Sequence, residues 1–78
     1  MLRPNKYTDI GLSVVGISAE VLRLLRADPA QKYTQLLGKV THRLGDEAKT
    51  NFLLALTFLY SLGQIEYHKD EDVVELVA

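Results

Sequence analysis

The sequence predicts an α+β domain that is mainly α, with three helices followed by a C-terminal β-hairpin. First, apolar residues recur at helical spacing between Asp46 and Leu62, and Gly63 ends the repeat. Second, the period falls from about 3.6 to 2 over residues 65–77, on either side of a polar turn. Third, a two-residue connection joins the second and third helices. This order of elements predicts a winged helix-turn-helix.

Residues 1–12 are predicted to form an extended N-terminal arm, and residues 13–78 the winged-helix domain. Pro4 cannot donate a backbone hydrogen bond, and Asp9 and Gly11 disfavour a helix. Two hypotheses remain open for this arm. In one it has no fixed conformation, and in the other it covers a neighbouring surface.

The first helix is predicted to begin at Ser13, as its N-cap, and to end near Ala27, before Pro29. Its apolar stripe is much wider than 100°. This width predicts either a dimer surface or a face covered by the arm or the hairpin. Only four residues of the helix are predicted to face water: Ala19, Glu20, Arg23 and Arg26.

The middle of the chain is predicted to hold a short strand and the second helix. The strand, residues 31–33, is expected to pair with the hairpin. Thr34 then caps a helix over about residues 35–44, and Gly45 closes it. Its predicted buried stripe is Leu36, Leu37, Val40 and Leu44.

Asp46 is predicted to cap the third helix. The opposite side of this helix carries Thr50, Leu54, Thr57 and Ser61. The main side is one broad apolar arc that we expect to be buried: Ala48, Phe52, Leu53, Ala55, Leu56, Leu59, Tyr60 and Leu62.

Charge is unevenly divided along a chain whose net charge is −1. Residues 1–45 hold seven Lys/Arg and three Asp/Glu, for +4, whereas residues 46–78 hold two and seven, for −5. The chain has no cysteine, no apolar run of about 18 residues and no signal-peptide pattern at its start. These features predict a cytoplasmic protein of one domain that does not enter a membrane.

The residues predict no enzyme, no cofactor and no metal site. Catalysis needs reactive groups that converge, and His42 and His68 lie on different predicted elements. The sequence holds no glycine-rich phosphate loop. The acidic run 70–72 is interpreted as a solvated hairpin tip rather than a cation site.

The charges also argue against direct DNA binding. Reading of the major groove needs Arg, Lys, Asn or Gln on the outer face of the third helix, and a hairpin that touches phosphates needs cations. The hairpin instead carries five acidic residues against Lys69. An alternative remains open, a small winged-helix transcriptional regulator that binds DNA through Lys39, Arg43 and Lys49.

Protein binding is the function that these residues favour. Leu54 and Phe58 lie outside the main arc of the third helix, and Val73 and Val77 lie opposite the apolar face of the last strand. Exposed apolar groups of this kind indicate a partner surface. The alternative is that the first helix or the arm covers them within the same chain.

Three segments of the chain carry a resemblance to a known family: RPNKYTD, LSVVGISAEVL and NFLLALTFLYSLGQIEY. They resemble the middle component of bacterial three-component ABC-ATPase systems, and within that set the sixth family. The resemblance implies a winged-helix adaptor encoded beside a large coiled-coil ATPase of the SMC or RecN type and an effector. Such systems are expected to act against phage or plasmids.

The same resemblance implies a role similar to that of MukE and ScpB, which act through protein contacts and commonly as dimers. It provides no catalytic residue, and it places Arg3 and Lys6 in a partner contact. The sequence therefore predicts a non-catalytic adaptor that links the ATPase to its effector. Leu54, Phe58, Val73 and Val77 are the other predicted contacts, and a homodimer is expected.

Overall fold

The computed structural model describes the backbone of residues 6–77 and the side chains of residues 13–77. Three helices and a three-stranded antiparallel sheet form an α+β winged-helix-like fold, as predicted. In chain order the elements are α1 (Lys6–Ala27), β1 (Ala30–Lys32), α2 (Tyr33–Leu44), α3 (Glu47–Ser61), β2 (Ile65–His68) and β3 (Val73–Leu76). We call β2, β3 and their connection, residues 65–76, the wing.

Helix α1 begins at Lys6, seven residues before the predicted cap at Ser13. The predicted extended arm is therefore corrected for residues 6–12, which are helical, while residues 1–5 lie outside the described part of the chain. Asp9 is the fourth residue of α1, so it does not prevent the helix from beginning at Lys6. Gly11 costs only about 1 kcal/mol relative to Ala, which the rest of a 22-residue helix offsets.

The sheet has the strand order β1-β3-β2. Val74 of the central strand β3 is paired with Gln31 of β1 on one side and with Tyr67 of β2 on the other. Strand β1 ends one residue earlier than predicted, because Tyr33 already begins α2. The Tyr33 backbone N–H donates to the carbonyl oxygen of Asp72 at 2.9 Å. That bond gives a backbone N–H in the first turn of α2 an acceptor in the wing. The N-cap residue of α2 is Lys32 rather than the predicted Thr34.

The core lies between the three helices and the inner face of the sheet. The stripe predicted for α1 is covered within the chain, mainly by α3, although Val15 stays exposed. Of the stripe predicted for α2, Leu36 and Val40 are fully buried but Leu44 is exposed. The buried apolar residues are Ile17, Val21, Leu25, Leu36, Val40, Ala48, Phe52, Ala55, Leu56, Leu59, Ile65 and Val74.

The apolar arc of α3 is only partly buried, which corrects the prediction for three of its members. Leu53, Tyr60 and Leu62 are 63%, 64% and 56% exposed. The predicted arc covers about half of the helix circumference, whereas packing on one side usually buries a stripe of about 100°. The flanks of the arc therefore remain on the surface.

The end of α3 follows the prediction for Gly63. This glycine has φ +73°, its N–H donates to the carbonyl of Tyr60 at 2.9 Å, and the N–H of Gln64 donates to that of Leu59 at 3.0 Å. This is a Schellman motif, which needs a left-handed residue just past the helix end. At the other end Asp46 occupies the N-cap position, but its side chain makes no capping hydrogen bond.

Glu20 is buried, although the sequence predicted that it would face water. Its side chain is 7% exposed and forms ion pairs with Arg23, at 2.6 Å, and with Arg43 of α2, at 3.2 Å. Two cations compensate the burial of one carboxylate, and periodicity alone does not reveal such a partner on another helix. Among the described residues, none of the helices is long and apolar enough to cross a membrane.

Candidate protein-interaction site

An apolar groove of about 410 Å³ lies between α3 and the wing. We call it the α3–wing groove. Leu53, Leu56 and Tyr60 of α3 line one side, and Tyr67 and Asp72 of the wing line the other, with Tyr33 between them. Such a mostly apolar concavity with few polar groups is the usual form of a binding site.

The floor of the groove is held by packed aromatic rings. Tyr33, the first residue of α2, packs edge-on against the buried Phe52, with ring centroids 5.2 Å apart and an interplanar angle of 77°. It also packs against Tyr67, with centroids 6.5 Å apart. Edge-to-face pairs of this kind add about 0.5–1.5 kcal/mol beyond burial. The fixed Tyr33 ring therefore connects α3 to the wing.

The wing side of the groove is ordered by Asp72. Its carboxylate accepts a hydrogen bond from the Tyr67 hydroxyl at 2.6 Å, and its backbone carbonyl accepts the Tyr33 N–H. The hydrogen bond to Asp72, reinforced by burial and by the negative charge, raises the pKa of Tyr67 above its usual value. Asp72 has φ +55°, a left-handed conformation that Asp and Asn tolerate better than most residues. A strained turn residue thus lies directly at the groove.

The α3 side of the groove exposes carbon rather than free polar groups. Leu53 and Tyr60 lie seven residues apart on one side of the helix, which separates them by about two helical turns. Thr57 lies between them, and its hydroxyl donates to the carbonyl of Leu53 at 2.9 Å. The Thr57 hydroxyl on this wall is therefore directed towards its own helix.

The predicted partner residues do not form one surface. Leu54 and Phe58 lie one turn apart, 53% and 41% exposed, but on the side of α3 away from the groove. Val73 is half-buried on the outer face of the sheet, and Val77, 43% exposed, follows the end of β3. Arg3 lies outside the described residues, and Lys6 is described only as the first residue of α1.

Sequence analysis missed three of the residues that line the groove. Leu53 and Tyr60 were assigned to the buried arc, and Tyr67 was treated only as one member of an alternating strand. The excessive width of the arc was the available signal, since one neighbouring helix does not cover half a helix surface. Tyrosine on both elements was a second signal, because its ring is apolar and its hydroxyl tolerates water.

Two of the three predicted nucleic-acid contacts are engaged in the fold. The Lys39 amine donates to the Gln31 side-chain oxygen at 2.7 Å, and Arg43 pairs with Glu20. Both face a wide polar depression of about 800 Å³ between α1 and α2, where acidic and basic groups are mixed. Lys49 is exposed at the start of α3. These cations do not form a stripe along the exposed side of α3.

One group of potential metal ligands is present among residues 13–77. Glu66, His68 and Glu75 share the outer face of the wing, with one ligand atom from each within 4.8 Å of the others. His68 Nε2 is 2.9 Å from the Glu75 carboxylate, and this hydrogen bond, with the charge of Glu75 and of nearby glutamates, raises the pKa of His68. Because Glu66 is exposed and the side chains of His68 and Glu75 are about half exposed, an ordinary ion pair accounts for the arrangement.

The family of the chain follows from residues 29–77. They match the model described as ABC-three component (ABC-3C) system Middle Component 8, over β1, α2, α3 and the whole wing. The comparisons with curated proteins and with solved structures give no match. The predicted middle component is confirmed, with the family number eight where the resemblance indicated six. Since the match covers more than half of the chain, the protein belongs to the middle component 8 family of ABC-three component systems.

Proposed function

We propose that this chain is a non-catalytic winged-helix adaptor that binds another subunit of its three-component system through the α3–wing groove. The observation that carries the proposal is the groove itself, a mostly apolar concavity between α3 and the wing. Membership of a multi-component family supports a protein partner. Leu53, Tyr60 and Tyr67 are the residues that we assign to the contact.

The chemistry around the groove favours a protein over DNA. Lys49 is the only Lys or Arg of α3, and the wing carries Lys69 against five acidic residues. Phosphates approaching this side meet like charge, without the release of counterions that drives DNA binding. The hydroxyls of Thr57 and Ser61 donate to carbonyls of their own helix, which leaves those donors unavailable to bases.

The finer part of the proposal rests on the family resemblance. The partner is a coiled-coil ABC ATPase of the SMC or RecN type, and the adaptor links it to an effector in a system directed against phage or plasmids. We further propose that the adaptor acts in the cytoplasm and as a homodimer, to which the exposed Val15 of α1 contributes.

Co-purification of the tagged full chain with the products of its neighbouring genes tests the proposal. The wild type is compared with Leu53→Asp and Tyr60→Asp, which place a charge in the groove, and with Thr50→Asp, an exposed position of the same helix outside it. We expect both groove variants to lose the partner by at least about tenfold, since a buried unpaired charge is costly at an interface. Thr50→Asp is expected to retain it.

Circular dichroism of each variant checks that the fold is kept. Leu54→Asp and Phe58→Asp test the surface predicted from the sequence against the groove. If the partner is lost only with Leu54→Asp and Phe58→Asp, the contact lies on the other side of α3 and not in the groove. A chain that recovers no neighbouring product and instead shifts duplex DNA at about 0.15 M salt would contradict the adaptor.

A further inference from the structure

The α3–wing groove combines apolar walls with an acidic surround, and this combination restricts what can occupy it. The walls are leucine and tyrosine side chains, and Asp72 is the one ionisable carboxylate among its lining residues. The hairpin turn beside it adds Asp70 and Glu71, both exposed. An occupant must therefore present both carbon and positive charge.

We propose that the occupant is a basic amphipathic helix of the partner protein, with apolar residues against α3 and a Lys or Arg beside Asp72. This inference rests on the proposed function, because it names the chemistry of the partner at the same site. It excludes acidic segments and nucleic acid from the groove, since both carry the charge of the wing.

The shape of the groove favours a helix. Its α3 side runs from Leu53 to Tyr60, two turns and about 10 Å along the axis. That length matches the i, i+3 or i+4, and i+7 anchors of an amphipathic helix laid in a groove. Between these two residues the wall presents only Leu56 and the hydroxyl of Thr57, which is bonded within its own helix.

The position of Asp72 favours a cation at the wing end. One carboxylate oxygen accepts the Tyr67 hydroxyl, and a carboxylate has further lone pairs with which to accept hydrogen bonds from an ammonium or guanidinium group. Tyr33 and Tyr67 place aromatic rings at the same end of the groove, where a cation is attracted to ring faces. The hydrogen bond from Tyr67 also holds the Asp72 carboxylate in a fixed orientation, so Asp72 loses little side-chain entropy when a cation binds.

A pair of synthetic peptides tests the charge of the occupant. Both are helical, 18-residue and fluorescently labelled, with leucine on one face and either lysine or glutamate on the other. Binding to the full chain is measured by fluorescence anisotropy. We expect the lysine peptide to bind, with affinity that falls between about 0.05 M and 0.5 M salt, and the glutamate peptide not to bind.

A matched pair of variants tests the position of the cation. Asp72→Asn and Asp70→Asn each remove one negative charge from the hairpin turn, but only Asp72 lines the groove. Asparagine keeps the left-handed backbone and the acceptor for Tyr67, so the fold is preserved. We expect Asp72→Asn to weaken the lysine peptide by about tenfold and Asp70→Asn to weaken it several times less. Tyr60→Ala, which removes an apolar wall, is expected to weaken it as strongly.

Three outcomes of the peptide experiments overturn the inference. They are absence of lysine-peptide binding, equal binding of both peptides, and equal effects of Asp72→Asn and Asp70→Asn. The adaptor hypothesis is tested separately with the natural partner. If that partner is lost with Leu53→Asp but retained with Asp72→Asn, the adaptor stands and the basic helix is rejected.

Discussion

Glu20 joins two helices through a buried carboxylate. Arg23, one turn away on α1, donates two hydrogen bonds to it at 2.6 and 2.8 Å, and Arg43 reaches it from α2. The hydrogen bond from Arg23, together with the charges of both arginines, lowers the pKa of Glu20 despite its burial. Because both arginines are largely exposed, water screens the attraction and limits its contribution.

Glu20→Gln is expected to lower the free energy of unfolding by about 1–2 kcal/mol near neutral pH. The pKa of Glu20 is lower in the folded state than its usual 4.5, so the ionised carboxylate stabilises the fold above pH 4.5. This contribution is lost as the pH falls through the folded-state pKa. Urea unfolding at about pH 7 and about pH 3 measures the difference, which should be smaller in acid.

Glu71→Gln is the control for the loss of one glutamate, because this residue lies exposed in the hairpin turn. It should leave the unfolding midpoint nearly unchanged at both pH values. A Glu20→Gln protein as stable as the wild type near neutral pH would show that the two arginines do not compensate the cost of burying the carboxylate.

His68 is expected to give stability with the opposite pH dependence. Its pKa is raised above 6.5 in the folded state, first by the hydrogen bond to Glu75. The protonated pair therefore stabilises the fold fully below about pH 6.5 and loses this contribution as the pH rises through the folded-state pKa. The difference in urea midpoint between wild type and His68→Gln should be larger at about pH 5.5 than at about pH 8.5.

His42→Gln controls for the removal of an exposed imidazole from another element. Equal differences for His68→Gln at the two pH values would mean that the imidazole and Glu75 do not interact in solution. Because both side chains are about half exposed to water, the effect should also shrink at high salt.

At the scale of elements, sequence periodicity predicted most of the architecture. Apolar spacing located the three helices and the hairpin because each element buries one face against the same core. The start of α1 was missed, since Asp9 and Gly11 are weak helix residues individually but do not stop a helix that is stabilised elsewhere. The N-cap residue of α2 was also missed, because the wing rather than a local side chain accepts the hydrogen bond of the Tyr33 N–H. The N-cap of α3 is Asp46 as predicted, although its side chain makes no capping hydrogen bond.

Two glycines, Gly16 inside α1 and Gly63 just past the end of α3, are expected to respond to alanine with opposite signs. Gly63→Ala forces a side chain into a left-handed conformation at the Schellman motif and should destabilise the protein by about 1–2 kcal/mol. Gly16 lies inside α1, and an added Cβ there meets nothing within 4 Å. Gly16→Ala should therefore stabilise by about 0.5–1 kcal/mol.

Thermal or urea unfolding of the two variants beside the wild type measures both effects. The pair is its own control, since the chemical change is identical and only the backbone conformation differs. A stabilising Gly63→Ala would mean that α3 ends differently in solution, without the bond between Gln64 and Leu59.

At the scale of the whole molecule, the sequence held signals for the exposure of single groove residues but not for their assembly into a groove. Its two sides come from α3 and the wing, and no periodicity within either one reports the distance between them. The exposure of Leu54 and Phe58 was predicted because it depends on one helix alone. Tyr33 supplies the connection, and its role depends on β1 ending one residue earlier than its composition suggested.

The hydrogen bond from Tyr33 to the Asp72 carbonyl has a consequence for the speed of association. It ties the tip of the wing to the first turn of α2, so both sides of the groove belong to one framework before any partner arrives. A partner bound in the proposed way would encounter a preformed surface, and this chain would lose little conformational freedom on docking. We expect the rate of capture to be set by orientation and by the acidic field of the wing, with no closing step to wait for.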